Sequence, residues 1–249
     1  MLVTLVLAGC HHKNPPVAYQ PPPPIAPTPT PADAGTRPTR PTPGGQGTNE
    51  SAGTQPANSQ LQPQGRPISS ETGIASWYGP PYTNRKAADG SIYDQNAMTA
   101  AHRTLPLGTI VRVTNLTNNR SVLVKITDRG PFVDGRIIDL SMAAAKMVDL
   151  YRAGIAKVRV EAFAPPTGSD PAGHWCVQIG AFLDEADAIQ LKNDLMRRYS
   201  TAKVIEFAGP TGHWVRINPK NLDKATANEI ADSIHIPDPS AQPYIVRLN

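Results

Sequence analysis

Cysteine is scarce: Cys10 and Cys176 are the only two in 249 residues, and they lie far apart in unlike surroundings. With no paired framework and no metal-type spacing, neither a disulfide scaffold nor a thiolate metal site is expected. No zinc-binding, nucleophile-elbow or phosphate-loop spacing occurs, so no metal and no cofactor is expected. Basic residues are only slightly in excess, 24 Lys and Arg against 20 Asp and Glu, for a net charge of +4. They form no run and no basic helix, which argues against nucleic acid as a partner. Arginines scattered among strands suit solubility or an anionic polymer such as cell wall.

Proline is plentiful but unevenly placed, with fifteen of the 27 between His11 and Glu71. That stretch also holds Gly, Thr, Gln and Ser with almost no large apolar side chains, so it cannot bury enough surface to offset its ordering entropy. Residues 11–71 therefore read as a disordered tether. About 60 such residues would span roughly 45 Å as a random coil and approach about 190 Å if fully polyproline-like. Two small domains follow, at 72–163 and 172–249, joined by a linker at 164–171.

The first ten residues read as an address. The apolar run Leu2 to Ala8 ends in Leu7-Ala8-Gly9-Cys10, which resembles the lipobox at which a bacterial lipoprotein is cleaved and its new N-terminal cysteine acylated. No basic segment precedes the run, so Met1 is expected to be an internal start or a truncation. Several acyl chains on Cys10 would anchor the protein durably, since each buried methylene contributes roughly 0.8 kcal/mol. His11 rather than Asp after the cysteine points, by resemblance to the usual sorting pattern, to the outer membrane, facing the periplasm. The adjacent His11-His12 pair is expected to hold no metal.

Between 72 and 163, apolar and polar residues alternate as in half-buried strands. Val111 and Val113 alternate with Arg112 and Thr114, and Val122, Val124 and Ile126 with Lys125 and Thr127. Turn residues such as Asn118-Asn119 and Gly130-Pro131 separate them. One helix is expected, N-capped by Ser141 with a stripe of Leu140, Ala144, Met147, Val148 and Tyr151. A small closed barrel with one packed helix accounts for this pattern. Asp128 ends an apolar strand beside a Gly-Pro turn, where partial burial would raise its pKa towards that of a working acid/base.

Gly73-Ile74-Ala75-Ser76-Trp77-Tyr78-Gly79, Thr99-Ala100-Ala101-His102, Leu105-Pro106-Leu107-Gly108-Thr109, Val111 to Asn115, Asp128-Arg129-Gly130-Pro131-Phe132 and Gly135 to Ser141 occur in this order. The set resembles the rare lipoprotein A family. The resemblance implies a six-stranded double-psi β-barrel, related in fold to expansins. It also implies an endolytic lytic transglycosylase acting on peptidoglycan strands stripped of stem peptides. Such an enzyme needs fewer acids than an inverting hydrolase, because the substrate's own 6-hydroxyl attacks the anomeric carbon. Asp128, Asp94 and His102 are the candidate catalytic residues. The family's Gly-Glu-x-x-Asp run reads Gly90-Ser91-Ile92-Tyr93-Asp94 here. Ser91 thus stands at the glutamate position and cannot protonate a glycosidic oxygen. Asp89, two residues earlier, substitutes only if the loop bends unusually. Trp77 and Tyr78, with Tyr82, Tyr93 and Phe132 nearby, offer flat faces for sugar rings.

The C-terminal stretch reads strand, helix, strand, strand, helix, strand: the split βαββαβ, ferredoxin-like α+β unit. Helices should cover one sheet face, with Val177, Ile179, Val215 and Ile217 beneath them. Gln178, Trp214 and Arg216 should lie on the other, open face. Val177 to Phe182 with Trp214-Val215-Arg216 resembles the SPOR domain. That resemblance implies binding to denuded septal glycan through Gln178, Trp214 and Arg216. Cys176 reads as a packed strand thiol. Two functions stay open, divided by Ser91: a transglycosylase delivered to denuded glycan, or a non-catalytic expansin-like wall-binding protein. Divisome proteins, as possible partners, leave no readable mark on the sequence.

Overall fold

The computed structural model describes residues 61–63, 65–79, 82–206, 212–236 and 241–249. Cys10, His11-His12 and nearly all of the expected tether lie outside them. Strands β1 (Ser69–Trp77), β2 (Thr99–His102), β3 (Ile110–Asn115), β4 (Ser121–Asp128), β5 (Arg136–Leu140) and β6 (Ala156–Ala162) close into a barrel of order β1-β5-β2-β4-β3-β6. β1 bonds to β6 on one side and to β5 on the other, so no strand edge is left open. The pairs β1–β5 and β2–β4 are parallel and the rest antiparallel. The alternation read from the sequence points inward as expected: Val111, Val113, Val122, Val124 and Ile126 are buried with Ala75, Ile138 and Leu140. Each full burial of a Val or Ile contributes about 1.5–3 kcal/mol.

The expected single helix is two. Ser141 caps α1 (Met142–Met147), its Oγ accepting from the amide of Ala144 at 3.2 Å. The chain then breaks at Asp149, which adopts a left-handed φ of 55°, before α2 (Leu150–Ala153). The break is held from the barrel. Asn115 Nδ2 donates to the carbonyl of Val148 at 2.8 Å, and Arg120 pairs with Asp149 at 2.6 Å. A carbonyl engaged by a side chain outside the helix is lost to the helical ladder, and periodicity alone does not register this.

A second sheet follows: β7 (Trp175–Phe182), α3 (Glu185–Met196), β8 (Lys203–Glu206), β9 (His213–Ile217), α4 (Lys224–Ser233) and β10 (Gln242–Arg247), with strand order β10-β7-β9-β8. Val177, Ile179, Val215 and Ile217 pack with Ala188 of α3 and Ala227 and Ile230 of α4. At Gly180 the chain passes under the Trp214 ring, where a Cβ would come within 2.8 Å of a ring carbon. β7 is buried almost along its whole length, on both faces. Two helices cover one face only, so something else covers the other.

Candidate active site

One row of register partners crosses four strands of the barrel. Ser76 pairs with Asp139, Asp139 with Ala101, and Ala101 with Asp128. Register partners share a sheet face, and the sequence neighbours Ala75, Leu140 and Ala100 point into the core, so the row lies outside the barrel. Strict alternation after Ile126 would send Asp128 inward. An irregularity in the β2–β4 register, Ala100 facing Ile126 but Ala101 facing Asp128, inserts Thr127 as an extra residue and turns the carboxylate outward. Two carboxyl groups thus flank the small side chain of Ala101, their backbones two strand spacings, roughly 10 Å, apart.

Asp128 Oδ1 accepts the amides of Arg129 at 2.8 Å and Ala88 at 3.0 Å. Burial nonetheless raises its pKa above the ordinary carboxylate value, and the charge of Asp89 adds to the rise. Asp139 receives the hydroxyl of Ser76 at 2.5 Å and pairs with Arg136 at 3.0 Å. Burial raises its pKa as well, against the pull of Arg136 and Ser76. Asp139 is not among the catalytic candidates that the sequence offers. Its signal was a polar residue between apolar neighbours in Ile137-Ile138-Asp139-Leu140.

The loop before β2 folds back onto β4. The amide of Asp89 donates to the carbonyl of Thr127 at 3.0 Å. Asp89 Oδ1 in turn accepts both the Ser91 hydroxyl at 2.5 Å and the Ser91 amide at 2.9 Å. A carboxylate therefore stands against the Ser91 side chain, one residue along the loop from the amide that holds Asp128. Asp89 thereby closes an Asx turn over Ser91. Asp94 is exposed, and its Oδ1 accepts the amide of Asn96 at 2.8 Å, the bond of a turn brace. No bond joins it to Asp128 among the described residues.

His102 is 4% exposed. Its Nδ1 accepts the amides of Thr104 at 3.2 Å and Leu105 at 3.1 Å, while Nε2 meets Glu71 Oε1 at 2.5 Å. Two amide donors on Nδ1 place the ring proton on Nε2, facing Glu71. That hydrogen bond holds the Glu71 carboxyl below its usual range. With both nitrogens taken, His102 positions the 102–105 turn.

The aromatic expectations need correction. Tyr78 and Tyr93 are buried at 8% and 5%, their rings 4.3 Å apart, and pack on Ala101 with Tyr82 alongside. Trp77 lies against Tyr151 at 4.8 Å, on the rim of the core. Trp77 and Tyr78 therefore act as packing, Trp77 against the barrel core and Tyr78 on Ala101 of the carboxyl row.

The second sheet also departs from expectation. Gln178 and Trp214 do share a face opposite the helices, and Arg216 Nη2 donates to Gln178 Oε1 at 3.2 Å. Yet Trp214 is 1% exposed and Gln178 not at all. The barrel covers them: the Phe132 ring lies 4.9 Å from Trp214 and 5.7 Å from Tyr244. Beside it the guanidinium of buried Arg129 donates to the carbonyls of His102, Leu105 and Asn249. Burial pulls Arg129 down to about 10, which leaves it a cation at neutral pH. On the same face burial pushes the Cys176 thiol up to about 11, so it stays protonated. Among the described residues no group of three or more His, Cys, Asp or Glu is placed to hold a metal ion, and no helix is long and apolar enough to cross a membrane.

Comparison with known proteins places both halves. Residues 70–160 match the family described as lytic transglycolase, and residues 171–241 match the SPOR domain. The endolytic peptidoglycan transglycosylase RlpA of Campylobacter jejuni is 43% identical over 155 residues, covering 52% of this chain and 56% of that protein. Its namesake from Pasteurella multocida is 58% identical over 89 residues, covering 36% of this chain and 30% of that protein. The chain thus spans about half, or less, of the length of the curated relatives it matches. A solved Clavibacter michiganensis expansin covers 61% of this chain and 80% of its own at 17% identity and a TM-score of 0.31, a likeness too weak to argue from.

Proposed function

Because the chain belongs to the rare lipoprotein A family, we propose that it is an endolytic transglycosylase that cleaves peptidoglycan glycan strands lacking stem peptides. The observation that carries this reading is the outward carboxyl row, with Asp128 and Asp139 astride Ala101 and both held towards the protonated form by burial. In the reaction a protonated carboxyl gives its proton to the glycosidic oxygen as the bond to the anomeric carbon breaks. A carboxylate takes the proton of the same sugar's 6-hydroxyl as that oxygen bonds to the anomeric carbon. Protons balance, no water is consumed, and a 1,6-anhydro sugar results. Asp128 is the principal proton-transfer group, with both amide bonds on Oδ1 fixing its direction. Asp94 and His102 shape the loops around it.

Asp89 stands in for the glutamate that Ser91 replaces. The Ser91 hydroxyl donates to Asp89 Oδ1 at 2.5 Å and so holds a carboxylate beside position 91. Asp89→Asn is expected to lower anhydro-muropeptide release from amidase-treated sacculi roughly tenfold, about 1.4 kcal/mol of transition-state stabilisation. Adding Ser91→Glu to that variant should restore it. If Asp89→Asn has no effect while Ser91→Glu alone raises the rate, the site is short of an acid. If every form binds denuded sacculi but releases nothing, the chain is a non-catalytic, expansin-like wall-binding protein.

We further propose a lipid anchor at Cys10, in an outer-membrane lipoprotein facing the periplasm and brought to septal denuded glycan by its SPOR domain. Expressed behind an export signal ending at Cys10, the protein should fractionate with membranes. Cys10→Ala should move it to the soluble fraction, and unchanged fractionation would remove the anchor.

A further inference from the structure

The covered face of the second sheet has a specific occupant. Register puts Cys176 and Gln178 of β7, Trp214 and Arg216 of β9, and Tyr244 and Val246 of β10 on the side away from the helices. Cys176, Gln178, Trp214 and Val246 are each at most 1% exposed. Among the described residues, α3 and α4 pack on the opposite face. The barrel segment just after Asp128 lies over this face, with Phe132 packed against both the Trp214 and Tyr244 rings. Arg103, past the end of β2, stacks on Tyr244 at 5.4 Å and donates to the carbonyl of Pro131 at 3.0 Å. Its own carbonyl accepts the amide of Arg247, extending β10 onto the barrel.

The chemistry of this contact is incomplete. Gln178 Nε2 and Arg216 Nε are buried and find no hydrogen-bond partner among the described residues. Buried donors left unmade are costly. A polyhydroxylated ligand could accept from them, while stacking a sugar ring on Trp214 in place of Phe132.

We propose that the barrel loop 129–132 and denuded glycan compete for this face, so that the second domain's engagement of glycan separates the two domains and frees the segment that follows Asp128. The competition rests on the reading above that the SPOR domain brings this chain to denuded glycan, and takes the binding to run through Gln178, Trp214 and Arg216 as the SPOR resemblance implies. In the free protein the two domains are docked, and Arg129 is tied to the main chain of Asn249. On denuded strands the tie is released, which links delivery to the state of the active loop. Stem-peptide-bearing strands, which are not expected to fit the face, leave the chain closed.

Cys176 lies on the covered face and reports its opening. In a full-length Cys10→Ser background, thiol labelling of Cys176 should be slow. Glycan on this face would itself cover Cys176, so its effect is read from small-angle scattering: glycan from amidase-treated sacculi should raise the radius of gyration, and untreated glycan should not. Phe132→Ser and Arg103→Glu, both on the barrel side, should each accelerate labelling without glycan and bind denuded glycan about tenfold more tightly. Thermal unfolding of the barrel checks that each variant is folded, and one folded variant suffices. Wild-type labelling as fast as either variant would overturn the docking. Glycan binding that leaves the radius of gyration unchanged, or variants that bind more weakly, would overturn the competition. Absence of glycan binding in every form, with labelling still accelerated by the variants, would overturn it through the glycan role of the face alone.

Discussion

Asp128→Asn is expected to abolish anhydro-muropeptide release, with a loss of roughly 10²–10⁴-fold in turnover, the usual contribution of a general acid or base. The amide keeps the shape of the side chain and can still accept from Ala88 and Arg129 through its Oδ1. It cannot move a proton. Because those two bonds survive, the loop should stay in place and binding to denuded sacculi should persist. Release by the variant within threefold of wild type would take the proton-transfer role from Asp128. The pH profile carries a second signature. Burial raises the Asp128 pKa, so the limb of the rate profile that it governs should lie on the neutral side of an ordinary carboxylate.

The largest loss of stability is expected from Arg136→Met. Asp139 and Arg136 are 13% and 12% exposed at their side chains and pair at 3.0 Å. Removing the cation leaves a buried carboxylate with the Ser76 hydroxyl and the more weakly acting Arg103, and breaking one side of such a pair costs about 3 kcal/mol at neutral pH. The folded pKa of Asp139 is already raised by burial, with Arg136 opposing the rise. Without Arg136 it rises further, so the folded state binds the proton more tightly than the unfolded state does. The deficit is then full above the folded pKa and shrinks as pH falls towards the unfolded carboxylate value. Denaturant melts of wild type and variant at neutral and acidic pH check this. A deficit that is constant with pH would mean that Arg136 acts by packing alone.

Much of the architecture was legible because the strands are short, half-buried and sharply alternating. Val111, Val113, Val122, Val124 and Ile126 could sit only on one face, and all are buried. The order of elements in the second domain was legible for the same reason. The carboxyl row was only half legible. Asp128 was found from its place at a strand end. Asp139 was missed because a single polar residue between apolar neighbours does not reveal which strand will lie beside it.

Composition and pattern alone settled the proline-rich segment as a class apart, the two small domains, the inward and outward faces of each strand, and the oddity of Ser91. These are local properties, fixed by side-chain period and turn chemistry. Tertiary structure decided the rest. A bulge at Thr127 turned Asp128 out of the core, and Asn115 broke the helix at Val148. The Asp89 loop folded onto Thr127, and Phe132 covered the Trp214 face that the sequence read as open. Each of these depends on which residues distant in the chain come together, and that is set by strand register and packing over the whole fold rather than by any local stretch.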